Sequence, residues 1–441
     1  MYAGANEKSH RVGSQSLKEL AEWELNATRV SELTVQAGLE MKEQQSAMVE
    51  EYHQREASRS LSASREISGD APENLPQVGV VEMDGGRIRT REENGSRGVT
   101  DPHWREFQAG CVVRLQSEES SEDPRPEVPE LFLNRPKVQK LVSQLHRQKA
   151  TTKEEETTNE PSIGEILSEE KLTENTPDLA AVQRASQDAV TDSAKTLTKA
   201  KRGPVRLQRT CVATLAGADA CGRILAAESA RRGFDQAPRK GFVGDGQTCN
   251  WSVWERYFKR SGFVAILDFI HLLSYVYGFA MAVGRDADDA WRLHVAWITA
   301  LWQGQAAEVL VQWRNLAREH DVPSDTALAD TDPRRPIQRG VTYLENNLDR
   351  VDYPRYRRLG LPVTSTLMES LVKEFNLRVK GTEKFWNDPE GAEAILTLRA
   401  ALLSEDNRFG QFFANRTGCR YRRRSTLKAE IALSAHNPLV T

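Results

Sequence analysis

The sequence predicts an α/β fold in which a mixed sheet is flanked by helices. Three observations carry that expectation. Short apolar or alternating runs follow one another between residues 78 and 115. Two further short apolar runs, 240–244 and 263–267, alternate with helical patterns, and from 269 to 347 the pattern is almost wholly helical. Consecutive strands followed by strand–helix alternation imply antiparallel and parallel pairings within one sheet, covered by helices. The last two strands, separated by a helix, are expected to run parallel.

Taken in chain order, residues 1–57 read as a helical N-terminal region. Leu17, Leu20, Leu25, Val30, Leu33 and Val35 recur at roughly helical spacing, and Gly38 is expected to end or kink a helix. Residues 20–38, with Asn26-Ala27-Thr28 at the turn, fit either a helix-turn-helix DNA-binding hairpin or an ordinary helical hairpin. Residues 58–77 are Ser-rich, contain two prolines and read as a linker.

The first part of the core is expected over 78–116. An apolar run at 78–81 ends in Met83-Asp84-Gly85-Gly86, and a strictly alternating run at 87–91 follows. That pattern predicts a strand–turn–strand hairpin with Asp84 where its first strand ends. Residues 105–115 make a third strand. Residues 117–204 are acidic and rich in Ser and Thr, and read as a partly disordered insertion whose one helical stretch is 131–145.

The second part of the core spans 205–268. It holds a helix over 212–232 stopped by Gly233, a strand turning at Gly244-Asp245-Gly246, a short helix over 251–260 and a buried strand ending at Asp268. An all-helical insertion over 269–362 carries Trp291, Trp297, Trp302 and Trp313. The last part of the core, 363–405, has helices over 365–378 and 389–403, and 406–441 is a basic tail containing Arg422, Arg423 and Arg424.

Composition excludes several classes. The chain has 441 residues, 60 Lys and Arg against 63 Asp and Glu, a net charge of −3 and 39% hydrophobic residues. Its longest apolar stretch, 262–283, is broken by Asp268, His271 and Ser274, which argues against a membrane span. The N-terminus shows no signal-peptide pattern. Five cysteines, Cys111, Cys211, Cys221, Cys249 and Cys419, form no CxxC pair and read as reduced thiols in a cytoplasm rather than a disulfide framework or zinc ribbon. The near-neutral total also hides a split: residues 1–200 carry a balance of −11 and residues 201–441 one of +8. A basic half of this kind suits a polyanionic partner.

Three carboxylates stand out. Asp84 and Asp245 each follow an apolar run and precede a glycine, and strand ends are where a sheet presents side chains into a shared crevice. Glu369 lies near a helix start for which Ser365 is a candidate N-cap. Carboxylates from separate elements suit Mg²⁺ or Mn²⁺, and two such ions about 3.5–4 Å apart can serve an in-line phosphodiester displacement. Each Asp-Gly read alone is equally a turn signal.

Asp268, which also ends a strand, competes with Asp245 as the second carboxylate. His271, three residues on, either orients Asp268, contacts DNA or is an ordinary buried histidine. Each insertion tryptophan reads either as helical core or as a platform for an unstacked base, with Trp313 the candidate for the latter. Arg355, Arg357, Arg358, Lys373, Arg378, Lys380, Lys384 and Arg422 to Arg424 are candidate phosphate contacts, the alternative being a solvated charged surface.

These motifs resemble those of the bacterial DDE insertion-sequence transposases related to the Mutator-like group. The chain is similar to that family in Val80-Val81-Glu82-Met83-Asp84-Gly85-Gly86, in Gly244-Asp245-Gly246, in Asp268-Phe269-Ile270-His271, and in Pro362-Val363-Thr364-Ser365-Thr366-Leu367-Met368-Glu369-Ser370. Gly391-Ala392-Glu393-Ala394-Ile395-Leu396 followed by Arg399 adds to the likeness, which spans roughly residues 78–405.

The resemblance implies a ribonuclease-H-like core with a helical insertion before the final Glu. It implies Asp84, Asp245 and Glu369 as catalytic metal ligands, with Asp268 and His271 as an accessory pair. It further implies DNA as partner, both terminal inverted repeats and target, a homo-oligomer on the DNA ends, and a place at the bacterial nucleoid. The rival expectations are a ribonuclease-H-like nuclease that cuts without joining, and a non-catalytic DNA-binding protein derived from a transposase.

Overall fold

The computed structural model describes residues 1–61, 76–90, 103–149, 203–380, 386 and 388–416, with the backbone alone for 59–61, 103, 146–149 and 369. The chain opens with helices α1 (Tyr2–Asn6), α2 (His10–Ala21) and α3 (Ala27–Leu61), then enters strands β1 (Val78–Thr90) and β2 (His103–Gln116). Helix α4 (Arg135–Lys149), strand β3 (Val205–Thr214), helix α5 (Ala218–Arg231), strand β4 (Arg239–Gly244), helix α6 (Thr248–Val253) and strand β5 (Val264–Leu267) follow. Helices α7 (Phe269–Val283), α8 (Ala287–Trp302), α9 (Ala306–Glu319), α10 (Arg335–Asn347) and α11 (Tyr353–Arg358) form the insertion. Helices α12 (Thr366–Val379), α13 (Pro389–Leu403) and α14 (Arg408–Asn415) complete the described chain.

The five strands form one mixed sheet in the order β3-β2-β1-β4-β5. β1 pairs antiparallel with β2, and β2 with β3, whereas β1 and β4 are parallel, as are β4 and β5. The sheet is buried on both sides. On one face Val81, Met83, Val112, Val212 and Phe242 pack against Cys221 and Leu225 of α5 and against Phe258 and Phe263. On the other, Val80, Ile88, Val113, Val243 and Ile266 meet the helices of the insertion together with α12 and α13. The mixed sheet flanked by helices is therefore as expected, and so is the all-helical character of 269–362.

Several local expectations are corrected. The anticipated hairpin at 83–86 is not a turn. β1 runs unbroken for 13 residues and pairs with β2 from Val78 to Thr90. Its glycines serve space rather than direction: a Cβ on Gly86 would lie 2.3 Å from the Phe107 ring on the neighbouring strand.

The second correction is β3, whose residues were expected in part to begin a helix. Its alternating first half lies at the sheet margin, and its last six residues are buried. The helix that follows begins only at Ala218.

Gly38 neither ends nor kinks its helix. α3 is 35 residues long and runs through it, four residues into the expected linker. A Cβ at Gly38 would sit 2.3 Å from the Ala394 carbonyl oxygen, so the glycine permits α3 and α13 to touch backbone to backbone. The N-terminal region is thus docked on the core, with Ala5, Ala37, Leu398 and Phe412 sharing one apolar cluster.

The acidic insertion also starts later than expected. Within 117–149, Leu131, Phe132, Val138, Leu141, Val142 and Leu145 belong to the main core. The acidic stretch before them is tied down by ion pairing of Asp123 with Arg357 and by Arg239, which donates to the Ser117 carbonyl at 2.7 Å. Residues 150–202 lie outside the described residues.

Candidate active site

The parallel register sets the position of the carboxylates. The last β1–β4 pair is Glu82 with Val243, and the last β4–β5 pair is Gly244 with Leu267. Two residues past the first pair stand Asp84 and Asp245, and immediately past the second stand Asp245 and Asp268. Side chains alternate along a strand, so Asp84 shares the face of Val80 and Glu82, and Asp245 that of Val243. Val80 and Val243 both lie in the core on the insertion side. Asp84 lies in the middle of β1, which runs on to Thr90, but just past the point where its pairing with β4 stops. Asp245 and Asp268 stand beside it, immediately past the carboxyl ends of β4 and β5.

Asp245 is nearly buried and held by its own loop. Its Oδ1 accepts from the Gln247 amide at 3.0 Å and from Asn250 Nδ2 at 2.8 Å, and its Oδ2 accepts from Gln247 Nε2 at 2.6 Å. Asn250 Nδ2 also reaches the Met83 carbonyl at 3.4 Å, which links this loop to the strand of Asp84. Tyr343 of α10 donates its hydroxyl to the Asp245 carbonyl at 2.8 Å and stacks on Tyr275, ring centroids 3.7 Å apart. Gly246, with φ +89°, brings the loop so close that a Cβ would lie 2.6 Å from the Tyr343 ring. Asp245, Gln247, Cys249, Tyr275 and Tyr343 line a cavity of about 410 Å³.

Asp268 is fully buried and spends its oxygens on structure. It caps α7 by accepting from the Ile270 amide at 3.2 Å, accepts from the Ser365 amide at 3.0 Å, and pairs with His271 Nδ1 at 2.5 Å. Burial works to raise its pKa, but the hydrogen bonds from His271 and Ser365 and the charge of His271 outweigh it and hold the carboxyl below the usual range. His271, itself buried, orients this residue from within the core.

The helix bearing Glu369 is fixed from the same side. Ser365 occupies the N-cap position, but its side chain makes no capping bond. Instead Glu82 Oε2, buried on β1, accepts from the Met368 amide at 3.1 Å. Two carboxylates, Asp268 and Glu82, thus accept from the N-cap amide and a first-turn amide of α12, where the helix dipole favours negative charge. Glu369 follows Met368 directly. Sequence reasoning missed Glu82, Asn250 and Gln247. The available signal for Glu82 was a charged residue inside an apolar strand, two positions before Asp84 and therefore on its face.

Other candidates are placed elsewhere. Trp313 is fully buried, stacked on Phe279 at 4.3 Å and edge-on to Trp297 at 5.7 Å, so it is core and presents no face to a base. Arg378 is 2% exposed and donates to the Gly4 carbonyl at 2.9 Å, which removes it from the candidate phosphate contacts. Arg357 is likewise buried, on Asp123 and over the Trp302 ring at 4.2 Å. Lys373 is exposed and Lys380 half-buried beside Trp104. Lys384 and Arg422 to Arg424 lie outside the described residues.

Among the described residues no group of three or more His, Cys, Asp or Glu side chains is placed to hold a metal ion, and the Glu369 side chain is not among them. The donor set nonetheless fits a hard divalent cation. Asp84 and Asp245 supply oxygen alone, and Mg²⁺ is ordinarily bound through one or two carboxylates plus substrate phosphate. A carboxylate offers about four acceptor sites, and Asp245 uses three, leaving one on a residue that lines the cavity. Burial and the Asp245 carboxylate push the neighbouring Cys249 thiol up, so it offers no thiolate nucleophile at neutral pH.

Among the described residues no helix is long and apolar enough to cross a membrane. Compared with known proteins, the chain matches no family model, and no curated sequence is significantly similar to it.

Proposed function

We propose that the protein is a metal-dependent DNA transposase of the DDE type with a ribonuclease-H-like core. The observation that carries this reading is the register of Asp84 and Asp245, each two residues past the last pair of the parallel β1–β4 ladder, with the first turn of the Glu369 helix fixed against the same face. The strand order, with two antiparallel and two parallel pairings around a central β1, supports the core assignment. Asp84, Asp245 and Glu369 are the proposed ligands of Mg²⁺ or Mn²⁺, with two ions when DNA is bound. Bound metal at such a site activates water and neutralises charge on the phosphodiester oxygens.

The chain's own residues supply positioning. Gln247 and Asn250 fix the Asp245 carboxylate, while Asp268, oriented by His271, and Glu82 fix α12. Water attack at an element end would release a 3′-hydroxyl, and that hydroxyl would attack target DNA at the same site, without a covalent protein–DNA intermediate. The proposed partners are terminal inverted repeats and target DNA, contacted in part by Lys373, Lys380 and the basic tail. Paired ends imply a homo-oligomer, working at the bacterial nucleoid.

The test incubates purified full-length protein with Mg²⁺ and DNA carrying the element's own ends, scoring cleavage and end joining separately. Both are expected, and both should be lost in Asp84→Ala, Asp245→Ala and Glu369→Ala. Full activity in any one of these variants removes that residue from the site. Cleavage without joining identifies a nuclease, and end binding without either reaction a non-catalytic DNA-binding protein.

A further inference from the structure

The opposite face of the sheet carries a second polar cavity. It measures about 230 Å³, the space of roughly eight waters at about 30 Å³ each. Arg114 of β2, Gln208 and Thr210 of β3, and Arg231 and Arg232 at the end of α5 line it. Arg114 lies across from Gln208, and Val112 from Thr210, in the β2–β3 pairing. Arg114 shares the face of Val112, which belongs to the core under α5 rather than to the insertion side where Asp84 stands. The cavity is thus separated from the candidate active site by the thickness of the sheet.

Three features mark it as built for an anion. The β2–β3 register shifts between Arg114 and Leu115, and such bulges re-aim a side chain at the sheet surface. Arg114 Nε is buried, yet among the described residues it has no hydrogen-bond partner. A buried guanidinium donor without an acceptor is destabilising, so the site gains by receiving one.

The third feature is charge balance. Arg232 and Arg408 form a closed network with Glu228 and Asp406, two guanidinia against two carboxylates. Arg114 and the exposed Arg231 add positive charge that this network does not offset. Glu228 is held below the usual carboxylate range, burial being outweighed by the charges of Arg408, Arg232 and Arg231, so it stays ionised and keeps Arg232 engaged.

We propose that this cavity is a phosphate-binding site, with Arg114 and Arg231 gripping the oxyanion and Gln208 adding an amide donor, while the Thr210 hydroxyl stays committed to Asp406 at 3.0 Å. Guanidinium forks match the oxygens of a phosphate group. The group recognised is either a free phosphate or phosphate monoester, or a phosphodiester of a nucleic-acid backbone. The site does not depend on the transposase reading.

The test titrates sodium phosphate into the full-length chain by calorimetry at fixed ionic strength, with sodium chloride as control, and follows a short DNA duplex by fluorescence anisotropy. Saturable phosphate binding is expected, weakened about tenfold in Arg114→Gln and weakened also in Arg231→Gln, as befits loss of one charge-assisted hydrogen bond. Circular dichroism checks the fold of the Arg114 variant, and Arg231, being exposed, provides the second, structurally mild one. If the variants weaken phosphate alone, the ligand is a free phosphate or monoester. If they weaken DNA as well, and phosphate competes with DNA, it is a backbone phosphate. No saturable phosphate binding by the unaltered chain, or undiminished binding in both variants, overturns the proposal.

Discussion

The Glu82 carboxylate on β1 caps the Met368 amide at 3.1 Å, joining two elements 286 residues apart in sequence. It replaces the side-chain cap that Ser365 does not make. The Met368 amide also donates to the Ser365 carbonyl at 2.9 Å, so Glu82→Ala removes the charge-assisted half of a shared hydrogen bond and is expected to lower stability by about 1 kcal/mol, read by urea denaturation. Glu82→Gln keeps an acceptor and should cost less. Equal losses in the two variants would show that the carboxylate acts through something other than this cap.

Asn250 joins Asp245 to the Met83 carbonyl. Asn250→Ala frees the carboxylate from one of its two side-chain donors. Residues that orient metal ligands typically change affinity about 10–100-fold when removed. With Asp245 as the proposed metal ligand, calorimetric titration with Mn²⁺ should show weaker binding in Asn250→Ala, with a smaller loss in Gln247→Ala, whose backbone amide contact to Asp245 survives. No Mn²⁺ binding by the unaltered protein would count against that ligand role.

Gly38 meets the Ala394 carbonyl at a distance no side chain tolerates. Gly38→Val should push α3 away from α13 and cost about 1–3 kcal/mol by overpacking. Limited proteolysis should then cut within α3 sooner than in the unaltered protein. Unchanged proteolysis would mean the two helices separate without consequence.

His294 of α8 is fully buried, stacked on Trp291 at 4.8 Å and edge-on to Tyr277. Burial pushes its pKa down to about 4. The unfolded chain takes up this proton near pH 6.5, whereas the folded chain resists until about pH 4. Stability from the neutral ring is therefore full above pH 6.5 and falls as pH drops toward 4, by up to about 3 kcal/mol. His294→Phe should flatten that part of the stability profile, measured by urea unfolding between pH 7 and 4.

Much of this architecture is legible in the sequence, and the failures have physical causes. The parallel pair β4–β5 and the helical insertion follow from short apolar runs and helical periodicity. Asp-Gly-Gly signals a turn because its local chemistry permits one, yet β2 supplies a partner along the whole of β1, and Phe107 needs the space the glycines leave. The alternation of β3 was readable, but the Ala-rich helix after it drew the boundary forward. Trp313 and Arg378 show the limit of residue type as evidence: both kinds of side chain bind nucleic acid, and here the core encloses them. Asp84 and Asp245 were found by motif and likeness, whereas Glu82 needed the knowledge that α12 begins beside β1.

One strand sets the geometry of the helix that carries Glu369 at both of its ends. Glu82 holds the first turn of α12, and seven residues further along β1 the Arg89 carbonyl accepts from the Trp386 amide at 2.9 Å. Trp386 Nε1 in turn donates to the carbonyl of Val379, the last residue of α12. The two attachment points on β1 are about 23 Å apart at strand rise, so the strand acts as a splint along the helix. A one-turn slide of α12 would break both attachments at once. The backbone at Glu369 therefore does not slide past Asp84 with its helix alone, and a shift of α12 must carry β1 along.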